Sequence, residues 1–476
     1  MFVGIDVGTS VVKAAAFDRG GRQLAVEARP VGLDLRGGAV EQDMAEVYGA
    51  VVAVLGALSA RVPEPVELAG LTGQGDGLWL VDSAGRPVRP AISWLDGRAR
   101  PLVDGWLADG TFEAVFRRTG GALFPGCPGP LLAWLDRHEP GALDRAAAAV
   151  ACKDMVFQRL TGAASAVTDV SDASMPFLDP RTRSYDDGVL ELLGLAGRRR
   201  LLAPVADPAA AGRARGDGLP AGTRLTNGPY DLPACALGAG VTAPGDGLLI
   251  VGTCLAALVA TTSLDLGGEP AGMYVSTDRP GHRLRAMPAM VGTAALDWVL
   301  RTTGAGHAEL DGLLASSPPG ARGVRVLPYF APSGERAPFV EPGLRAELLG
   351  VSLESTPADL VRATCEGIGH AARHCLAAAG LTGALAVCGG GTRSPAWTRL
   401  LADVLGRPLR VVEGEAGARG AVLAAAGRHG VPLDTAAWTE PAHTVTPDPS
   451  RAAYYDDRHE EHLRLLTTAR NRARHG

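Results

Sequence analysis

Near the amino terminus an apolar run ends in Asp6-Val7-Gly8-Thr9-Ser10 and a second begins at Val11. Gly8 tolerates the positive φ of a tight turn and lets the backbone approach a ligand closely. The N–H groups and hydroxyls of Thr9 and Ser10 can donate to phosphate oxygens. Asp6 is suited to hold Mg²⁺ through water, because that ion keeps much of its hydration. Lys13, on the returning strand, would offset phosphate charge. A plain hairpin with a turn glycine and an outward lysine would use the same residues.

A second glycine-rich stretch follows the apolar run 385–388: Gly389-Gly390-Gly391-Thr392-Arg393, then Ser394-Pro395 and a helical pattern through Trp397, Leu400, Leu401, Val404 and Leu405 to Gly406. Strand, glycine loop and capped helix gather N–H donors at a helix start, which suits a nucleotide. The pattern is not G-x-G-x-x-G with a distal acidic residue, and no G-x-x-x-x-G-K-[ST] occurs, so neither a dinucleotide fold nor a P-loop is indicated.

Between these stretches lies Asn227-Gly228-Pro229-Tyr230-Asp231-Leu232-Pro233. Asp231 falls at the mouth of a short helix, where the helix dipole would keep it ionised. Such a carboxylate can take the proton of an attacking hydroxyl in line with a γ-phosphate; an ordinary N-cap is the other reading. Gly73-Gln74-Gly75-Asp76-Gly77 and Trp94-Leu95-Asp96-Gly97-Arg98 both follow apolar stretches. Gln74, Asp76, Asp96 and Arg98 together could read the hydroxyls of a sugar, although each Asp-Gly pair also suits a turn. His459 and His462 sit three apart on a terminal helix with no third ligand evident, which reads as a solvated face. Neither G-x-S-x-G nor H-E-x-x-H occurs, which removes common hydrolase signatures.

The elements that must position these residues alternate between strand and helix. The runs 3–7 and 11–17 form a hairpin, residues 23–28 a third strand, 43–58 a helix and 66–71 a buried strand. Thr356, Pro357 and Asp359 start a helix that Gly380 ends. Residues 206–222 read as a surface loop or linker. Residues 247–264 carry no charge, yet Gly252-Thr253 interrupts them, so a buried hairpin fits better than a membrane span. Ile5 to Ala14 can be laid over Leu249 to Leu258, so each half opens with the same Gly-Thr hairpin.

At 476 residues the chain exceeds one hydrophobic core, and a boundary at 243/244 divides it into two domains, with a helical tail from about 450. The balance of 46 basic and 51 acidic residues creates no strong field for nucleic acid or membrane. Seven cysteines without a C-x-x-C, and an amino terminus lacking a signal-peptide pattern, fit a reducing cytoplasm.

In this order the motifs resemble the FGGY carbohydrate kinases of the actin-like ATPase superfamily. The resemblance extends to Lys153-Asp154, Leu160-Thr161-Gly162, Ser171-Asp172-Ala173-Ser174 and Ser333-Gly334-Glu335-Arg336-Ala337-Pro338. It implies that Thr9, Lys13, Gly252, Thr253, Gly292, Gly390 and Gly391 contact ATP, with Asp6 near its Mg²⁺. It implies Asp231 as general base, and Gln74, Asp76 and Asp96 as residues facing the substrate. Xylulose kinases usually carry Met-His after this Gln and glycerol kinases Arg-Glu. Gly75-Asp76 is more similar to the erythritol and L-xylulose or 3-keto-L-gulonate kinases, where the glycine would open room and the carboxylate accept two hydroxyls. Val251-Gly252-Thr253-Cys254 departs from that group, lacking its Met-His-rich run.

The expectation is therefore an α/β protein of two ribonuclease-H-like domains with a central cleft, residues 1–243 binding the sugar and 244–476 the nucleotide. It would transfer phosphate from ATP, with Mg²⁺, to a four- or five-carbon ketose or alditol such as xylulose, L-xylulose or erythritol. No nucleic-acid or membrane partner is expected, and a homodimer is left open. An actin- or chaperone-like ATPase switch, or a catalytically idle sugar sensor, is the alternative.

Overall fold

A computed structural model of the chain describes residues 1–475. The apolar runs flanking Gly8 form the strands Phe2–Val7 and Val11–Phe17, antiparallel, with Asp6 opposite Lys13. Gln23–Pro30 continues the meander. On the other side of Phe2–Val7 lie Leu68–Gly73 and then Arg224–Asn227, both parallel, and Ala211–Arg213 closes the sheet as an antiparallel edge. That edge strand falls within residues 206–222, so the expected surface loop contributes a strand. All six residues of Leu68–Gly73 are buried, as a parallel strand covered on both faces requires.

The later half repeats the arrangement. Gly247–Val251 and Leu255–Thr261 form the uncharged hairpin, antiparallel and largely buried. Arg283–Pro288 follows Leu255–Thr261 in the sheet, while Leu385–Cys388, Leu409–Val411 and the antiparallel His443–Val445 extend the other side. Phe2–Val7 and Gly247–Val251 thus hold equivalent places: a hairpin partner on one side, two parallel strands and an antiparallel edge on the other. The short sequence repeat has a topological counterpart.

By packing, the chain forms two units. One contains Met1–Thr242 with Thr261–Leu284 and Gly414–Glu440; the other contains Ala243–Ala260, Arg285–Glu413 and the residues from Pro441 on. A single cut at 243/244 therefore does not describe their membership. The reason is visible at the helix Ala416–His429. A Cβ on Gly4 would lie 2.1 Å from the Ala418 carbonyl oxygen, and one on Gly70 2.0 Å from that of Ala421. Gly420 has the same relation to the Ala234 oxygen at 1.8 Å. Glycines on both sides let this helix lie backbone to backbone on the first sheet and the helix Asp231–Gly238.

Local signals account for the helix ends. Asp43 caps Met44–Arg61 by accepting the N–H groups of Ala45 and Glu46. Among the described residues this is the one helix long and apolar enough to cross a membrane, and Met44, Val47, Val51, Val54 and Leu58 lie in the first unit's core. Thr356 and Asp359 form a capping box at Pro357–Ala379, and Gly380 ends that helix in the left-handed region. The terminal helix Ala452–His475 corrects one expectation. His462 is buried rather than solvated, and its imidazole and that of His459 lie 5.4 and 5.6 Å from the ring of His370. The terminal helix is amphipathic, and these histidines occupy the face that packs on Pro357–Ala379.

Candidate active site

In the first unit the parallel strands converge on three acidic residues. Asp6 comes from the end of Phe2–Val7, Asp76 from the loop after Leu68–Gly73, and Asp231 from the segment after Arg224–Asn227. Two bonds draw the last segment inward: Gly228 N–H donates to the Leu71 carbonyl (2.9 Å) and Thr72 Oγ1 to that of Pro229 (2.7 Å). Tyr230, not Asp231, is the N-cap of Asp231–Gly238, and its N–H donates to Ser171 Oγ at 3.1 Å. Asp231 occupies the first helical position, so the ordinary capping role does not explain it. Desolvation, followed by the charge of Asp6, pushes its carboxyl up to about 8 against the pull of the Leu232 N–H, and Asp76 adds a weaker push. The expectation that the dipole keeps Asp231 ionised is corrected: withdrawal from water and two neighbouring carboxylates outweigh a short helix.

Desolvation also raises Asp6 to about 6, with Lys13 lowering it and Glu415 adding to the rise. Asp6 Oδ1 is buried without a hydrogen-bond partner. Lys13 Nζ donates to both oxygens of Glu415, at 3.1 and 2.9 Å. Thr9 is tied to the substrate segments: Trp94 Nε1 donates to its hydroxyl (2.9 Å), and Gln42 Nε2 to its carbonyl (2.9 Å). Gln74, 2% exposed, donates to Gln42 Oε1 at 2.9 Å. Gly8 does not take the expected positive φ; close packing requires the glycine, since a Cβ there would lie 2.8 Å from the Val11 carbonyl oxygen, and Ser10 in the same turn is exposed.

Two substrate expectations change. Asp96 accepts from Val40 N–H, Arg98 N–H and the Arg98 guanidinium, and Arg98 also pairs with Glu41 at 2.8 Å. Their charges are taken up in a buried clamp that shapes the loop, leaving no carboxylate oxygen of Asp96 for a hydroxyl. The space at Gly75 is already filled: a Cβ there would lie 2.6 Å from Cδ2 of Tyr230. The glycine admits this ring rather than a larger substrate. Asp76, in the left-handed region at φ 57, lines a small cavity of about 50 Å³ with Asp172, Met175, Phe177 and Tyr185.

Close to Tyr230 lies a buried polar cluster. Lys153, fully buried, is 2.8 Å from Asp172 and 3.2 Å from Asp154, and Asn227 donates to Asp154 at 2.7 Å. Burial works against the Lys153 charge, but Asp154, Asp172 and Asp169 outweigh it and hold its pKa up.

The second unit carries a cleft of about 600 Å³ lined by Gly252, Thr253, Gly390 and Gly391, with Thr293, Asp297, His307, Asp311, Arg393, Ser394 and Trp397. Gly390 opens to space, whereas a Cβ on Gly389 would lie 2.7 Å from the Val251 carbonyl oxygen. Gly389 therefore positions the loop, at φ 102, rather than lining the cleft. Gly292 does the same for the hairpin, since a Cβ there would lie 2.3 Å from the Thr253 oxygen. Glu335 holds the adjoining segment by accepting the N–H of Met290 at 2.7 Å, and burial raises it to about 7.

The FGGY N-terminal domain of carbohydrate kinases matches residues 1–212, and the FGGY C-terminal domain residues 247–428. The chain is 36% identical to erythritol kinase of Brucella abortus (strain 2308), over 96% of this chain and 94% of that one. The chain belongs to the FGGY carbohydrate kinases. This kinase is also 28% identical to a probable L-xylulose kinase of Pasteurella multocida (strain Pm70), over 98% of each chain. Its structure superimposes on xylulose kinase from Rhodospirillum rubrum with TM-score 0.88, at 28% identity over 99% of both chains. The two-domain α/β fold is that of these sugar kinases, and the activity is ATP-dependent phosphorylation of a small sugar or polyol. The alternative of an actin- or chaperone-like switch has no support among these matches.

The orphaned Asp6 Oδ1 suits a water bound to a hydrated cation, so the residues present fit Mg²⁺. Several residues of this kinase escaped the sequence reading. Gln42 lies outside any glycine-rich motif, and Glu415 falls in the run Gly414-Glu415-Ala416-Gly417, which the motifs above do not include. Asp297, His307 and Asp311 carry only a helical pattern. A polar residue beside a helix cap was the available signal for Gln42 and Glu415, and it is a common one.

Proposed function

We propose that the kinase transfers the γ-phosphoryl group of ATP to a terminal hydroxyl of a four- or five-carbon alditol or ketose, with erythritol the first choice. The observation that carries the reading is Asp231: a carboxyl at the first turn of a helix it does not cap, raised to about 8 beside Asp6 and Asp76. A base whose pKa lies near the working pH combines availability with proton-transfer driving force. Asp231 would accept the hydroxyl proton as that oxygen attacks phosphorus. Gln74 and Asp76 would orient the polyol, with the Asp76–Asp172 cavity receiving a hydroxyl at its far end. Asp96 and Arg98 would hold the loop in place. Thr9, Ser10 and Lys13 in the first unit, and Gly252, Thr253, Gly390 and Gly391 in the second, would bind the nucleotide. Gly8, Gly292 and Gly389 would set their backbones. Asp6 would hold hydrated Mg²⁺, which supplies positive charge to phosphate oxygens when bound. The sugar is thus assigned to the first unit, and the glycine-rich cleft of the second unit to the nucleotide.

The erythritol preference draws support from the 36% identity to an erythritol kinase and from Gly75-Asp76 following Gln74. A coupled ADP-release assay with erythritol, D-xylulose, L-xylulose, 3-keto-L-gulonate and glycerol tests it. Erythritol should show the highest kcat/KM. A higher value for glycerol or a ketose overturns that preference, and no stimulation by any of them would favour an idle sensor.

A further inference from the structure

Lys13 is the one cation of the Gly-Thr hairpin, and its ammonium donates to both carboxylate oxygens of Glu415, 402 residues away in sequence. Glu415 stands at the N-cap of Ala416–His429 yet makes no side-chain cap bond to that helix. Its carboxylate serves the hairpin instead. Asp6 stands opposite Lys13 on the paired strands, and a Cβ on Gly417 would lie 3.1 Å from Asp6 Oδ2. The helix start that presents Glu415 therefore also packs on Asp6, whose Oδ1 has no partner. Two carboxylates around one ammonium leave a net negative charge, which a polyphosphate would meet unless a second cation arrived with it.

We propose that Glu415 makes nucleotide binding depend on a divalent cation: it pairs with Lys13 in the free chain and, with Asp6, accepts hydrogen bonds from the cation's waters when nucleotide enters, releasing Lys13 to the phosphates. The inference rests on the kinase reading above. A half-exposed ion pair is weak enough to exchange, and charge-assisted bonds to phosphate are stronger. The side chains of Lys13 and Glu415 are 36% and 22% exposed, so water reaches both.

Calorimetric titration of ADP into the full chain, with Mg²⁺ and with EDTA, reads the effect without turnover. Wild type should bind ADP more tightly with Mg²⁺. Glu415→Gln should bind metal-free ADP at least about tenfold more tightly than wild type, the low end of one hydrogen bond to a charged group, and the Mg²⁺ effect should shrink accordingly. An unchanged ratio overturns the proposal. Should Glu415→Gln fail to fold, Lys13→Gln gives a second reading by Mn²⁺ titration followed by electron paramagnetic resonance. With the ammonium removed, Mn²⁺ alone should bind more tightly than to wild type, and equal binding overturns the proposal. Wild type that binds no ADP even with Mg²⁺ would overturn the kinase reading as well, whereas wild-type binding with an unchanged ratio removes only the role of Glu415.

Discussion

At the scale of single residues, Asp231 links catalysis to stability through one carboxyl. Its folded-state pKa of about 8 lies above the ordinary 3.8. The protonated form is thus favoured by folding: the contribution is full below about 3.8 and is lost as pH rises through about 8. Asp231→Asn, fixed in the uncharged form, should melt higher than wild type at pH 8.5 and by a smaller margin at pH 5, as differential scanning fluorimetry will show. The same substitution should cut kcat by roughly 10²–10⁴, the range of a lost general base, with ADP affinity near wild type by calorimetry. A variant that keeps its turnover would remove Asp231 from the chemistry. Gly75→Ala is the steric counterpart. Its methyl would strike the Tyr230 ring that precedes Asp231, so it should lower kcat together with thermal stability. A variant that only lowers KM for a larger sugar would mean that the glycine does serve the substrate.

At the scale of elements, the terminal helix is docked through imidazoles. His370 and His374 on Pro357–Ala379 meet His459 and His462 on Ala452–His475, and burial, the leading cause in each, lowers all four. His459 is lowered to about 4 and His462 to about 3. Arg373 and Glu366 on the first helix, Tyr455, Asp456, Arg458 and Arg470 on the second, and Arg325 on Arg325–Leu327 surround them. The cationic side chains reinforce the neutral state and the acidic ones oppose it. Because the folded values lie below the unfolded value of about 6.5, the unfolded chain takes up protons first on acidification. Stability should hold above about pH 6.5 and fall from there toward pH 4, by up to about 1.4 kcal/mol per pH unit for each fully withheld imidazole. His462→Met should flatten that slope in urea titrations at pH 7.5, 6 and 5, and an unchanged slope would mean that the cluster takes up protons without loosening.

At the scale of the whole molecule, a six-stranded and a seven-stranded sheet that share the order of strands around their Gly-Thr hairpins are built from the two halves, and the segment Gly414–Glu440 returns to the first of them. That return depends on backbone contact. Gly420→Ala would place a methyl 1.8 Å from the Ala234 oxygen and should cost at least about 1–3 kcal/mol by urea denaturation, as overpacking does. Gly427→Ala, on the same helix with nothing within 4 Å, should instead stabilise by up to about 1 kcal/mol. Equal effects would mean that the close approach is dispensable.

The amino-acid order by itself determined the Gly8 hairpin, the capped starts at Asp43, Thr356 and Ser394, the glycine ends at Gly380 and Gly406, and the family through its ordered motifs. These depend on φ preferences, caps and alternation within a few residues, which adjacent side chains specify. Tertiary structure alone decided that the Asp231 carboxyl is raised far above its ordinary value, that Gly75 admits Tyr230, that Asp96 is spent on Arg98, and that His462 is buried. It also brought Glu415 to Lys13. Each of these outcomes depends on how much water a group loses and which charges stand beside it. Those neighbours come from strands and helices hundreds of residues apart, so local spacing carries no record of them.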